Sequence, residues 1–140
     1  MSKPTALLAD DHPNFLEKVE KLLDGAFEIV ERVLDGQALV EAAEKLKPDV
    51  IVTDISMPLL DGIEAMKRLK ESGCKSKFVF LTVHTDPEFA RACLLCGALG
   101  YVVKTRMNTD LKPATEAALA GHIFASPNFQ QGATKPRFPA

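Results

Sequence analysis

The stretch that decides the fold lies near the start of the chain, where residues 6–13 have the sequence ALLADDHP. Its four apolar residues are typical of a β-strand buried on both faces, and Pro13 is typical of the first turn of a helix. Asp10 and Asp11 separate the two, so their carboxylates are predicted to lie where a strand ends and a helix begins. A strand that leads through two acids into a helix indicates an α/β domain.

The alternation of short apolar runs with helical periodicity occurs five times along the chain. The predicted strands are residues 6–9, 29–33, 50–53, 78–82 and 101–103. Glu31 and Arg32 interrupt the second run, which predicts an edge strand, whereas the other runs indicate parallel strands covered on both faces. Five βα units with right-handed crossovers predict an α/β fold of the flavodoxin-like (βα)5 type, a three-layer sandwich with parallel strand order 2-1-3-4-5.

Apolar residues at helical spacing predict amphipathic helices between these strands. The first helix is predicted to begin at Pro13, the third after Asp61 and the fourth after Asp86. The apolar faces of the first two helices consist of Phe15, Val19, Leu22 and Leu23, and of Leu39, Ala42, Ala43 and Leu46.

The last part of the chain lacks this pattern. Pro127, Gly132, Pro136 and Pro139 follow one another without an apolar period between them. We therefore expect one domain over residues 1–124 and a flexible tail or linker over residues 125–140.

The composition indicates where the protein works and what it binds. Its 140 residues carry 17 basic and 19 acidic side chains, a net charge of −2. This balance gives no basic footprint for a polyanion, so we expect no direct binding of nucleic acid.

Every apolar run is far shorter than the ~20 residues that cross a bilayer, and Asp10 ends the first one before a secretory signal could form. We expect no membrane contact and a cytoplasmic location.

The three cysteines, Cys74, Cys93 and Cys96, form an odd number, which indicates a reducing compartment rather than a disulfide framework. Cys93 and Cys96 have C-x-x-C spacing, which leaves a redox or metal site open. The pair lies within an apolar helical pattern, and the sequence has no second ligand pair at zinc-site spacing. We expect both to be small buried helix residues.

Polar side chains follow the predicted strands at the point where each strand ends. Asp10 and Asp11 follow the first strand, Asp54 follows the third, Thr82 ends the fourth and Lys104 follows the fifth. The carboxyl ends of parallel strands share one edge of the sheet, where open α/β domains bind ligands. Three carboxylates there repel one another and favour a bound cation, for which oxygen ligands indicate Mg²⁺. Together with the lysine, Mg²⁺ suits a phosphoryl group, with Asp54 as the expected nucleophile.

These positions carry a resemblance to a known family. The stretches DDHP at residues 10–13, DISMP at 54–58, DG at 61–62 and GALGYVVK at 97–104, together with Thr82, resemble the receiver domain of bacterial response regulators. The DDHP start and the stretch ALAGHIFASP at the end of the domain are most similar to the LuxR/NarL type. That type joins its receiver to a DNA-binding helix-turn-helix, so we expect either a stand-alone receiver or part of a longer regulator.

The resemblance implies a signalling switch of two-component systems rather than an enzyme. It implies that Asp54 accepts a phosphoryl group from a phosphohistidine of a sensor histidine kinase. It also implies that Asp11, Asp54 and the main-chain carbonyl of Ser56 bind Mg²⁺ directly, and that Asp10 binds it through water.

The same resemblance assigns further residues to the switch. Lys104 and Thr82 are expected to contact the phosphoryl oxygens, and Tyr101 is expected to turn into the space that Thr82 vacates. Ser56 and His84 are expected to tune how quickly the phosphoryl group is lost to water. The surface formed by the fourth helix, fifth strand and fifth helix is expected to meet partners or a second copy of the chain as a homodimer.

Three other functions stay open at this point. A small phosphohydrolase with an aspartyl nucleophile is disfavoured by the adjacent Asp10 and Asp11, because that class has an Asp-x-Asp pattern after its first strand. A flavin-binding electron carrier is disfavoured because its phosphate loop needs a hydroxyl- and glycine-rich first turn. An interaction module that is never phosphorylated would keep the same fold.

Overall fold

A six-stranded parallel sheet flanked by helices forms the part of the chain that the computed structural model describes, residues 3–126. Its elements in chain order are β1 (Thr5–Ala9), α1 (Pro13–Leu23), β2 (Glu28–Val33), α2 (Gly36–Leu46), β3 (Val50–Thr53), α3 (Gly62–Glu71), β4 (Lys77–Thr82), α4 (Pro87–Leu95), β5 (Gly100–Val103), α5 (Met107–Leu119) and β6 (Phe124–Ala125). A short 3-10 helix, Lys104–Arg106, joins β5 to α5. Within residues 3–126 no helix has the length and apolar content needed to cross a bilayer.

The strand order is β2-β1-β3-β4-β5-β6, and every neighbouring pair is parallel. The flavodoxin-like α/β fold and the order 2-1-3-4-5 predicted from the sequence are confirmed. β6 is absent from the prediction because two residues are too few to show a strand period. It pairs with β5 through bonds from the Phe124 N–H to the Leu99 carbonyl (2.8 Å) and from the Ser126 N–H to the Tyr101 carbonyl (3.0 Å).

Successive strand residues alternate between two apolar layers. Leu7 and Tyr101 belong to the layer that α2, α3 and α4 cover. Leu8 and Val102 belong to the layer that α1 and α5 cover. The inner strands are therefore covered on both faces, and their carboxyl ends form an open edge where polar side chains gather.

Two residues predicted on buried faces are exposed. Leu46 is 39% exposed because α2 ends there and Lys47 leaves the helix in a left-handed conformation with φ of 49°. Cys96 is exposed because it follows the last residue of α4, whereas Cys93, one turn earlier, is buried as predicted. Burial raises the pKa of Cys93 to about 11, so this thiol stays protonated at neutral pH.

A buried polar network ties the end of the described chain to α5 and β5. One carboxylate oxygen of Asp110, Oδ2, accepts hydrogen bonds from Ser126 Oγ at 2.8 Å and from Arg106 Nε at 2.9 Å. Ser126 Oγ in turn accepts from the Val103 N–H at 3.2 Å. Ala125 and Ser126, which the predicted boundary assigns to the tail, are thus buried against the domain. The boundary itself stays a prediction, and residues 127–140 of the predicted tail lie outside the described residues.

Ser126→Ala is expected to lower the free energy of unfolding by about 1–3 kcal/mol, because the Val103 N–H and the Asp110 carboxylate would each lose a buried partner. Ser72→Ala is the matched control, since its hydroxyl donates to the Leu69 carbonyl at the end of α3 and its loss is expected to cost about 0.5 kcal/mol or less. Urea unfolding measures both variants. Equal losses of stability would contradict the network.

Candidate functional site

Strand register places two acids side by side at the carboxyl edge of the sheet. Ala9 and Thr53, the last residues of β1 and β3, are paired, so Asp10 and Asp54 follow paired residues. The Asp54 N–H donates to the Ala9 carbonyl at 2.9 Å. Asp10 is 2% exposed and Asp54 is 7% exposed. Two buried like charges on neighbouring strands repel, so the site requires a cation.

Lys104 supplies that cation. Its Nζ donates to Asp10 Oδ2 at 2.8 Å and to Asp54 Oδ2 at 3.1 Å, and its side chain is 13% exposed. Burial on its own lowers the pKa of Lys104, but the hydrogen bonds and charges of the two acids outweigh burial and hold this pKa above its ordinary value. The lysine is therefore charged at neutral pH, and it directly joins two other predicted site residues, Asp10 and Asp54.

Asp54 lies at the centre of this group. Burial raises the pKa of Asp54 above its ordinary value, the charge of Lys104 lowers it, and the charge of Asp10 raises it again. Oδ1 of Asp54 accepts from the Ile55 N–H at 2.7 Å, which leaves Oδ2 to face the ammonium. The carboxylate is thus oriented by its own loop and by the lysine.

The loop after Asp54 is held by a close backbone approach. The Gly62 N–H donates to the Ile55 carbonyl at 2.7 Å, and a β-carbon at residue 62 would collide with the Asp54 carbonyl oxygen. The preceding Asp61 begins α3 by accepting from the Glu64 N–H at 2.8 Å. The Asp61–Gly62 pair therefore starts a helix and leaves room for the backbone that carries Asp54.

Asp10, Asp11 and His12 bring candidate metal ligands together beside Asp54. One ligand atom from each lies within 4.8 Å of the others. Asp11 Oδ1 is buried and has no hydrogen-bond partner among the described residues, although His12 Nδ1 lies at an ion-pair distance of 3.1 Å. Buried carboxylate oxygens normally have a partner, so this atom fits a hard cation such as Mg²⁺.

Thr82 and Tyr101 both bind the main chain of His84. Thr82 is fully buried at the end of β4, and its Oγ1 accepts from the His84 N–H at 3.1 Å. The Tyr101 hydroxyl donates to the His84 carbonyl at 3.1 Å, and its ring is fully buried. Burial raises the pKa of Tyr101, so the phenol keeps the proton that it donates. The two predicted switch residues therefore meet at one peptide segment of the β4–α4 loop.

Ser56 and His84 lie together at the exposed edge of the site. Ser56 Oγ and His84 Nε2 are 3.4 Å apart, and the His84 ring lies 5.0 Å from the Phe89 ring. Only the family resemblance predicts that these two residues lie near the site. In the structure they are in contact.

Phe15 contacts the site, although its spacing in the sequence predicts only a place on the apolar face of α1. Lys104 Nζ lies 4.1 Å from the centre of its ring. The sequence feature that indicates this contact is the position of Phe15 in the first turn after the acidic pair, where a side chain of α1 can reach the strand edge.

The sequence pattern of the response regulator receiver domain family matches residues 6–116. The chain belongs to this family. The nitrate/nitrite response regulator protein NarL of Escherichia coli (strain K12) is 35% identical over 124 residues, which are 87% of this chain and 57% of NarL. The crystal structure of a LuxR-family two-component response regulator from Aurantimonas sp. SI85-9A1 superposes with a TM-score of 0.87 at 30% identity, covering 93% of this chain and 94% of that one. The resemblance to LuxR/NarL-type regulators is confirmed.

This receiver domain spans 54 to 59% of the length of the curated relatives it matches. One matching structure is a complex of the two-component response regulator RcsB with DNA, at a TM-score of 0.84 and 30% identity over 93% of this chain and 67% of RcsB. The prediction that nucleic acid is not a partner is therefore wrong. Net charge describes the average surface of one chain, and it does not exclude DNA binding by regulators that contain such a domain.

Gly62→Ala is expected to lower the free energy of unfolding by about 1–3 kcal/mol, because the new methyl group overlaps the Asp54 carbonyl and must displace the loop. The amide NMR signals of Asp54 and Ile55 are expected to shift with it. Gly73→Ala is the matched control, since nothing lies within 4 Å of a β-carbon there, although its φ of +90° also carries a strain cost. Unshifted signals in Gly62→Ala would contradict the close approach.

Proposed function

We propose that this receiver domain accepts a phosphoryl group on Asp54 from a phosphohistidine of a sensor histidine kinase. The observation that carries the proposal is the contact between Asp54 Oδ2 and the Lys104 ammonium at the strand edge, beside the second buried acid, Asp10. Membership of the receiver family supports the same acceptor. A cytoplasmic location belongs to this proposal, as does a signalling role without catalysis beyond the domain's own phosphoryl transfer and loss.

The transfer exchanges one bond to phosphorus for another. An oxygen of the ionised Asp54 attacks the phosphorus while the P–N bond to the donor imidazole breaks, leaving its electron pair on the ring nitrogen. The product is an acyl phosphate on Asp54. Phosphoryl transfer depends mainly on positioning and on neutralising charge around the equatorial oxygens. Lys104 is charged, mostly buried and already directed at Asp54, so its ammonium supplies part of that neutralisation.

Asp10 and Asp11 fit a Mg²⁺ ion, with Asp54 and the main-chain carbonyl of Ser56 as the further ligands that the resemblance implies. Asp11 offers a buried oxygen, Oδ1, that accepts no hydrogen bond within the described residues and lies 3.1 Å from His12 Nδ1. Asp10 already accepts from the His12 N–H and from Lys104, which suits a role through water. When bound, Mg²⁺ supplies positive charge beside the phosphoryl oxygens.

Ser56 and His84, at the exposed edge of the site, are the residues proposed to control how long the phosphoryl group stays on Asp54. Both side chains are exposed, and their polar atoms lie 3.4 Å apart beside the loop that carries Asp54. A water molecule that attacks the acyl phosphate from solvent has to pass side chains in this position. Their size and hydrogen bonding therefore affect how quickly water reaches the phosphorus.

The proposed switch starts at the Thr82 hydroxyl. A phosphoryl group on Asp54 adds acceptor oxygens to which this hydroxyl can donate, and that new bond draws the Thr82 side chain towards Asp54. Its present contact is the His84 N–H, and the His84 carbonyl is the acceptor for Tyr101. Movement of Thr82 therefore disturbs the segment that holds the Tyr101 hydroxyl, which shifts the equilibrium between two arrangements of the β4–α4 loop.

The output of the switch is proposed from the similarity of this chain to known regulators. Relatives of this receiver domain include NarL and the transcriptional regulatory protein DegU of Brevibacillus brevis. We place its output in the control of transcription by a regulator of the LuxR/NarL type.

Incubation with acetyl phosphate and Mg²⁺ is expected to add one acid-stable, base-labile phosphoryl group to the wild type and none to Asp54→Ala, as measured by intact mass. Chelation of Mg²⁺ is expected to suppress the addition. Asp35→Ala is the matched control, because Asp35 also follows a strand but caps α2 through the Ala38 N–H. It is expected to lose about 1 kcal/mol of stability and to gain the phosphoryl group normally. An equal adduct on Asp54→Ala would contradict the assignment.

Thr82→Ala is expected to take up the phosphoryl group but to lose most of the conformational response. The chain has one tyrosine and no tryptophan, so intrinsic fluorescence reports Tyr101 alone. Phosphorylation is expected to change this fluorescence in the wild type and to leave it nearly constant in Thr82→Ala. A full fluorescence response in a phosphorylated Thr82→Ala variant would count against the coupling.

A further inference from the structure

Lys104 is contacted from the α1 side by an aromatic ring. Its Nζ lies 4.1 Å from the centre of the Phe15 ring, well within the ~6 Å over which a cation is attracted to an aromatic face. The same atom donates to Asp10 and Asp54 on the sheet side. The ammonium is therefore enclosed by β1, β3 and the first turn of α1.

We propose that Phe15 is a positioning residue that holds the Lys104 ammonium in place for phosphoryl transfer to Asp54. This inference rests on the proposed function and adds a residue to its machinery. The attraction between an ammonium and a ring face is strongest where water is excluded, and the Lys104 side chain is 13% exposed.

Lysine needs such a restraint more than a stiffer side chain would. Its ammonium is a point charge on a flexible four-carbon chain, and its position is set by whatever surrounds it. Two of its three partners are carboxylates, and one of them, Asp54, changes chemically when it becomes an acyl phosphate. The Phe15 ring is chemically the same before and after transfer, so it can keep the ammonium at the strand edge in both states.

Phe15 is itself fixed by the start of α1. Its N–H donates to the His12 carbonyl at 3.0 Å, within the first turn that follows the acidic pair. Phe15 also borders a small cavity whose walls include Asp10 and Asp54. A side chain without the ring would leave the ammonium without its contact on the α1 side.

A purely apolar role for Phe15 is the competing explanation, since the ring also packs against the layer of α1 and α5. Phe15→Leu and Phe15→Tyr separate the two roles, because leucine keeps apolar contact without a ring and tyrosine keeps the ring. Leu22→Ala is the matched control: Leu22 lies on the same helix and packs against the same layer.

The measurement is the rate at which acetyl phosphate with Mg²⁺ phosphorylates Asp54, followed by intact mass in folded variants. Phe15→Leu is expected to be about 3- to 10-fold slower than the wild type, and Phe15→Tyr to stay within about 2-fold. Leu22→Ala is expected to be less stable but equally fast. In a Lys104→Ala background, Phe15→Leu is expected to cause no further loss, since the ring acts through the lysine.

The outcomes distinguish this inference from the function on which it rests. A wild type that gains no phosphoryl group overturns the proposed function. A phosphorylated wild type with Phe15→Leu equally fast overturns only the role of Phe15. Equal slowing in Phe15→Leu and Phe15→Tyr, or a full further loss in the Lys104→Ala background, shows packing alone and also overturns it.

Discussion

Lys104 places one ammonium between Asp10 and Asp54, 2.8 Å from the first and 3.1 Å from the second. In the sheet, β4 separates β5 from β3, and both β4 and β3 separate β5 from β1. A residue that follows β5 therefore has to reach past one strand to meet Asp54 and past two to meet Asp10. A long side chain with a terminal charge can do this. The two carboxylates are buried on neighbouring strands, and without the ammonium their repulsion and desolvation would be uncompensated. The positions of both acids depend on this contact.

The same contact prepares the site for chemistry. Asp54 is oriented through one oxygen by the Ile55 N–H, while the other oxygen faces a positive charge. Burying two acids beside a cation lowers the stability of the fold. The same arrangement holds a positive charge in place for an anionic group. Within residues 3–126 the buried Asp11 Oδ1 accepts no hydrogen bond, and it lies 3.1 Å from His12 Nδ1, so this oxygen also suits a hard cation.

Much of this fold could be predicted from the sequence, because nearly continuous apolar runs mark buried parallel strands and their order follows from crossover handedness. The rule that ligands bind at the carboxyl ends of strands also predicts that Asp10, Asp54 and Lys104 lie together. β6 could not be found in this way, since Phe124 and Ala125 are too short a run to show a period. Spacing predicts Leu46 on a buried face because it does not show where a helix ends, and α2 ends at this residue.

The finer parts of the site depend on side-chain positions that spacing does not encode. The shared use of the His84 main chain by Thr82 and Tyr101, and the ring of Phe15 beneath the ammonium, both require three-dimensional contacts. The partner prediction failed for a different reason. A net charge of −2 describes this chain, whereas matching regulators such as RcsB form complexes with DNA.

The central claim is that Asp54 is the residue that carries the phosphoryl group, and chemical mapping of the adduct tests it most directly. Borohydride reduces an aspartyl phosphate to homoserine, which peptide sequencing by mass spectrometry locates to a single residue. The account predicts homoserine at position 54 in the phosphorylated wild type. Homoserine at position 10 or 11, or its absence from a protein that has gained a phosphoryl group, would contradict the account.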